Sequence, residues 1–516
     1  MALITPVTQP LTALQAAHLL RRATFGPSAA QIKAFTGLMP AVALARLLAD
    51  SPAPDAPLDV TTGKPFHDLP FDNMLDGPWR NYLKNWYTGQ MVREGVSLRE
   101  TMTLFWQNHF VSTLATVGDA RMMYRQNVLL RKNALGNFQT AITEITKDPA
   151  MLLYLNGNQN VVNSPNENYG RELQELFTIG RGGNYTEDDV KAAARVLTGW
   201  NQTGYRNTTT AAITTTFTPN RHDATDKKFS AAYGNTIIKG RTGDTAGDLE
   251  LADLVDMILK QNETARFICR KLYRYFINDS VTTDIETNFI GPLAQVFIDG
   301  KFELKPVLTA LFSSQHFYDT GLIGAIIKSP LQLVVGAFRQ FEIALPDPVK
   351  DPVNFNTVTN FMNARAREQT QDVMDQTTVF GWPAYYDTGF YQKWISANTL
   401  ALRAYFTDLF GKGNVKTNNI TYGPNALAIV KALSTPSDPV RLIDDLTVNF
   451  FAVPLTTLQK DFLIDNVLVP GLPRYEWTDE WKAYMADQSN AKTTAVTTKL
   501  NALFLYLFRM AEYQMC

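Results

Sequence analysis

Residues 165–179 place Asn168, Arg171, Glu172 and Glu175 within one quadrant of a helix at about 100° per residue. Glu172 and Glu175 lie one turn apart, so their like charges repel unless a cation, Arg171 or a shared proton intervenes. Such a pair raises one carboxyl pKa or binds a hard divalent ion, which makes either glutamate a candidate general base. The competing reading is structural, with Glu172 paired to an arginine of a neighbouring helix, Arg195 or Arg21. A second candidate set is His222-Asp223 with Lys227, expected on a loop where the side chains are free to reach a ligand. There the imidazole would move a proton, the aspartate orient it and the lysine meet an anion, unless Asp223 only caps a turn. His109 follows Phe105 and Trp106 on an apolar helix and is either a satisfied core histidine or a ligand-binding one.

The elements that must position these groups are legible. Ser164 suits an N-cap, Pro165 the first helical position and Glu167 the return arm of a capping box. Tyr169, Leu173, Leu176 and Phe177 form a buried stripe, and Gly180 supplies the left-handed residue that ends the helix. A second helix opens at Thr186 with Asp189 as its box partner, buries Val190, Ala194 and Leu197, and stops at Gly199-Trp200. Helical spacing recurs over 79–93, 97–110, 122–136 and 138–147, with Asp148-Pro149 read as a stop. It continues over 248–260, 263–278, 284–298, 304–312, 329–341 and 355–367, then over 394–410, 425–433, 439–450, 456–468 and 494–510. Residues 51–78 are rich in proline and read as a surface crossing. Between the helical halves, the threonine run 208–218 and residues 235–239 are β-prone. The expected fold is mainly α, a multi-helix globular array with a small β hairpin or meander insertion. Its expected divisions are an N-terminal helical region 1–200, the polar insertion 201–245, a central helical region 246–380 and a C-terminal helical subdomain 381–516.

At 516 residues, 45 % of them hydrophobic, the chain has ample material for a large core or two fused ones. Its 48 basic and 49 acidic residues are mixed along the sequence, so there is no basic footprint for nucleic acid. Two cysteines, Cys269 and Cys516, are too few for a disulfide framework or a thiolate metal site. No basic n-region with an apolar h-region opens the chain, which makes the cytoplasm the default expectation, and no apolar run suggests a membrane span. Phosphate-loop, dinucleotide-loop, serine-elbow and zinc-helix signatures are missing.

Several ordered segments carry a family resemblance: His18-Leu-Leu-Arg-Arg-Ala-Thr-Phe-Gly26, Phe105-Trp-Gln-Asn-His-Phe110, Pro165 through Phe177, and Gly183 through Val190 with Leu197-Thr-Gly-Trp200. Further ones are His222-Asp223 with Lys227, Thr264-Ala-Arg-Phe267 with Lys271-Leu-Tyr, Lys328-Ser-Pro-Leu331, and Phe380-Gly-Trp-Pro383 followed by Trp394. In these the chain resembles the large bacterial proteins grouped as domain-of-unknown-function family eighteen-hundred. Gln107 and Phe177 stand where many relatives have histidine. The resemblance implies no reaction; it implies a partner protein of alkaline-phosphatase-like or sulfatase-like fold. The expected function is an accessory binding protein for a partner protein or glycan, its cleft combining the Glu172 face with the His222–Lys227 loop. The alternative is a hydrolase or transferase in which Glu172 or Glu175 acts as base, His222-Asp223 assists and Arg171 or Lys227 steadies an anion. A carboxylate-bound divalent metal would be its cofactor.

Overall fold

A computed structural model describes residues 3–387, 389–413 and 415–516. The chain is mainly α, with three small two-stranded antiparallel sheets. Most helices are those that the apolar spacing predicts, with ends shifted by a few residues: Asp76–Arg93, Arg99–His109, Ala120–Lys132, Ala246–Leu259, Asn262–Phe276, Pro330–Gln340 and Asn490–Arg509 among them. Local chemistry starts them. Thr12, Ser28, Thr186, Ser329 and Thr456 each close a reciprocal capping box, satisfying amides that a helix cannot pair internally.

Three local expectations are corrected. Asp148-Pro149 does not merely stop a helix: Asp148 caps the next one, Pro149–Tyr154, with Pro149 in the first turn, where a missing N–H costs nothing. The glutamate helix begins not from Ser164 but from Asn166, whose side chain accepts from the Asn168 amide; Ser164 is held in a bridge with Val161. It runs as α-helix over Glu167–Glu172 and as a π-turn over Leu173–Thr178, ending at Gly180 with φ of 95°. The helix Tyr475–Ala486 was not expected, because no side chain caps it and a Gly-Pro turn precedes it; Trp477, Trp481 and Tyr484 nevertheless line one buried face.

The insertion holds two of the hairpins. Trp200–Thr203 pairs with Thr214–Phe217, Trp200 opposite Phe217, and Lys227–Lys228 pairs with Ile237–Ile238. A third hairpin, Val415–Thr417 with Ile420–Tyr422, turns through Asn418 and Asn419, both at positive φ.

Buried apolar side chains form two clusters. One is built largely from the first two hundred residues and residues 251–318; the other joins residues 66–124 to the C-terminal helices. The Arg99–His109 helix serves both, with Phe105 and Trp106 in the first cluster and Leu104 in the second. Among the described residues no helix is long and apolar enough to cross a membrane.

Candidate functional site

His222, Asp223 and Lys227 are not free loop side chains but a buried ionic network. His222 Nε2 lies 3.0 Å from Glu250 Oε1, and its Nδ1 lies 2.9 Å from the Thr198 carbonyl. Lys227, fully enclosed, donates to the other Glu250 oxygen and to the Asp223 carbonyl. Burial pushes the Glu250 carboxyl up, but the bonds from His222 and Lys227 outweigh it and hold it below its ordinary value. Asp223 accepts from Arg195 at 2.6 Å and from Thr225; these overcome its own burial and bring its carboxyl down to about 2. Arg195 therefore serves Asp223 rather than Glu172, and Arg21 donates to the carbonyls of Val448 and Asn449. The hairpin encloses what the sequence leaves exposed, and every charge there has its counter-ion.

The glutamate face is open and partly paired. Arg171 grips Glu187 through two bonds of 2.8 and 2.7 Å and also meets Glu167 at 3.2 Å and Glu175 at 3.7 Å. Glu175 lies 3.6 Å from Arg181. Asn168 is exposed, its amide held by Asn166. Burial raises the half-buried Glu172 carboxyl, Glu175 adds to the rise, and Arg181 and Arg171 oppose it. No group of three or more His, Cys, Asp or Glu side chains suited to a metal ion occurs among the described residues.

His109 stands in a different setting. It lines a cavity of about 40 Å³ at the seam of the two cores, together with Arg22, Lys271, Arg274 and an aromatic wall that includes Phe105, Tyr385 and Trp394. Glu172, Glu175, His222, Asp223 and Lys227 are not among its lining residues, so the expected shared cleft does not form around it. Lining residues come from segments far apart in sequence: the Ala13–Ala23, Arg99–His109 and Asn262–Phe276 helices, Gln332 of Pro330–Gln340, and the loop from Phe380 to Trp394.

The local folding that aims His109 is specific. Its Nε2 lies 3.0 Å from the carbonyl of Phe177, in the last turn of the glutamate helix, where carbonyls lack intrahelical partners. A carbonyl only accepts, so Nε2 carries the proton and Nδ1 presents a lone pair. Lys271 Nζ, 2.8 Å away, donates to it. Gly180 lets this helix end approach the Lys271 helix, since a side chain there would come within 2.8 Å of the Phe267 ring. The aromatic loop is pinned by Asn108, which accepts from the Trp382 amide at 2.9 Å; a Cβ on Gly381, at φ of 100°, would fall 2.3 Å from the same oxygen.

The cavity lining is cationic, and the carboxylates that act on Arg274, Asp279 and Glu286, are not part of it. No Asp or Glu is among its lining residues. Arg22 donates to the carbonyls of Phe276 and Tyr275 and to Cys516 Sγ, so its charge meets no carboxylate through these bonds. Arg274 stacks on Phe390, and its buried Nε makes no hydrogen bond. Burial brings the Lys271 amine down to about 7, and Arg274 pushes the same way. Burial, then Lys271, drives the His109 imidazole well below its ordinary value in spite of the Phe177 carbonyl, so the ring is neutral.

Sequence reasoning named His109 but not Arg22, Lys271 or Arg274. The available signal was the set of motifs itself: Arg22, Asn108, His109, Lys271, Phe380 and Trp394 all belong to the segments that carry the family resemblance, and the cavity is where those segments meet. A family model described as a protein of unknown function (DUF1800) matches residues 18–515. No curated protein sequence and no solved structure matches the chain.

Proposed function

Since the chain belongs to the DUF1800 family, whose description assigns no activity, we propose from the site alone that it is a binding protein whose cavity holds a small anion or the anionic end of a larger ligand such as an acidic glycan. One observation carries this reading: Arg22, Lys271 and Arg274 line an aromatic-walled cavity with no acidic side chain among its lining. Buried cations are costly unless paired, and an anion entering this cavity supplies the missing partner in a medium where the attraction is poorly screened. The aromatic wall would pack the apolar part of the ligand and exclude water.

Isothermal titration of the full chain with oxalate, phosphate and sulfate tests the reading. Binding of at least one of them, weakened about 30-fold or more in Lys271→Met and in Arg274→Met, is expected from the loss of a desolvated charge partner worth about 2 kcal/mol. Binding by none of the three, or binding that both variants retain, refutes it. The Glu172 face serves as the internal control: Glu172→Gln leaves anion binding unchanged.

A further inference from the structure

We propose that Lys271 is a nucleophile that captures a small 2-oxo carboxylate as an imine inside the cavity, with Arg274 holding the carboxylate and His109 positioning the amine. This rests on the anion-binding reading and adds the chemical class of the ligand. Three geometric observations lead to it. The amine belongs to a residue of the cavity lining and is hydrogen-bonded to a histidine whose tautomer is set by the Phe177 carbonyl, so one amine hydrogen is committed to Nδ1. A guanidinium one helical turn on, with a free buried Nε–H, lies in the same wall. The volume of about 40 Å³ admits only a few heavy atoms, which matches a carbonyl next to a carboxylate rather than a sugar ring.

The chemistry balances without a co-reactant. The neutral Lys271 nitrogen adds to the carbonyl carbon, the N–C bond forms and the π pair moves to oxygen. The resulting carbinolamine takes up the nitrogen's proton, and loss of the hydroxyl with the second nitrogen-bound hydrogen releases one water and leaves the C=N bond. His109 remains neutral throughout and is a positioning residue. The other titratable groups lining the cavity with the amine are Arg274, which favours its neutral form, Arg22, and the phenols of Tyr275 and Tyr385, both raised by burial and therefore uncharged.

The test uses the full chain with glyoxylate and borohydride near pH 7, where exposed lysines are protonated, followed by intact mass and peptide mapping. One carboxymethyl group confined to the Lys271 peptide, lost in Lys271→Met and blocked by carbonyl-free oxalate, is expected. His109→Gln, which keeps a hydrogen-bonding side chain, should retain the Lys271 adduct at a slower rate. Labelling spread over surface lysines and equal in Lys271→Met overturns the proposal. So does oxalate binding with no adduct at Lys271, an outcome that leaves the anion-binding reading standing. Absence of the adduct together with binding of none of oxalate, phosphate and sulfate removes the two together. Arg274→Met provides a second check if Lys271→Met fails to fold: it keeps the amine, and its adduct formation with glyoxylate should fall at least tenfold relative to that with acetaldehyde.

Discussion

Lys271 is held where its charge is least welcome, and that cost is measurable. Its folded pKa of about 7 lies below the ordinary 10.5, so in this range the unfolded chain binds more protons than the folded one and stability rises with pH. Lys271→Met should therefore stabilise the protein by about 1–2 kcal/mol at neutral pH, the usual reward for relaxing a functional site. The difference from wild type should be full below pH 7 and shrink as pH rises toward 10.5; paired thermal melts across that range check it, and a destabilised variant would count against the burden assigned to this amine. The same titration separates two activities. Anion binding, which uses the protonated amine, should weaken as pH rises through about 7, whereas imine formation, which uses the neutral one, should accelerate. Asp223 titrates with the same sense in a lower pH range: its carboxyl, brought down to about 2, contributes stability above its unfolded value that is lost as pH falls through the folded one. Arg195→Met should flatten that acid limb of the stability curve.

Among the elements, the insertion between the helical halves behaves as a clasp. Its hairpin Lys227–Lys228 with Ile237–Ile238 brings Lys227 onto Glu250 of the Ala246–Leu259 helix, and His222 closes the same carboxylate from the other side. Removing one member of such a pair strands a buried charge, so Lys227→Met should cost about 3–5 kcal/mol by urea denaturation, while Glu172→Gln costs far less. Oxalate affinity should survive in Lys227→Met protein that remains folded, since the network does not line the cavity. The π-turn at Leu173–Thr178 has a comparable role for the site, because it ends on the Phe177 carbonyl that orients His109. Asn166→Ala, which removes the cap of that helix, should lower stability by about 1 kcal/mol.

For the molecule as a whole, one helix, Arg99–His109, supplies both cores and a wall of the cavity. Damage to either side of it should therefore be felt by the entire chain. Leu104→Ala and Trp106→Ala, one facing each core, should each cost about 2–5 kcal/mol and lower a single shared thermal transition. Two separated transitions, each moved by only one of the variants, would show the cores to be independent.

How much of this was legible in the sequence follows from the range over which each interaction acts. Helices, most of their caps, the buried stripe of Tyr169 to Phe177, the left-handed Gly180 and the hairpin-prone insertion depend on neighbours within a few residues, and their signals are local. The ordered motifs also marked the family. The glutamate quadrant was visible too, but not that Arg171 would turn to Glu187 of the following helix. Nor could the sequence tell that His222 and Lys227 would meet Glu250, because charge pairing is decided by which helix covers which loop. Lys271 sits 162 residues from His109, and Arg22 is farther still along the chain from Lys271. Only the packing of the two cores brings these cations to one cavity whose lining holds no carboxylate.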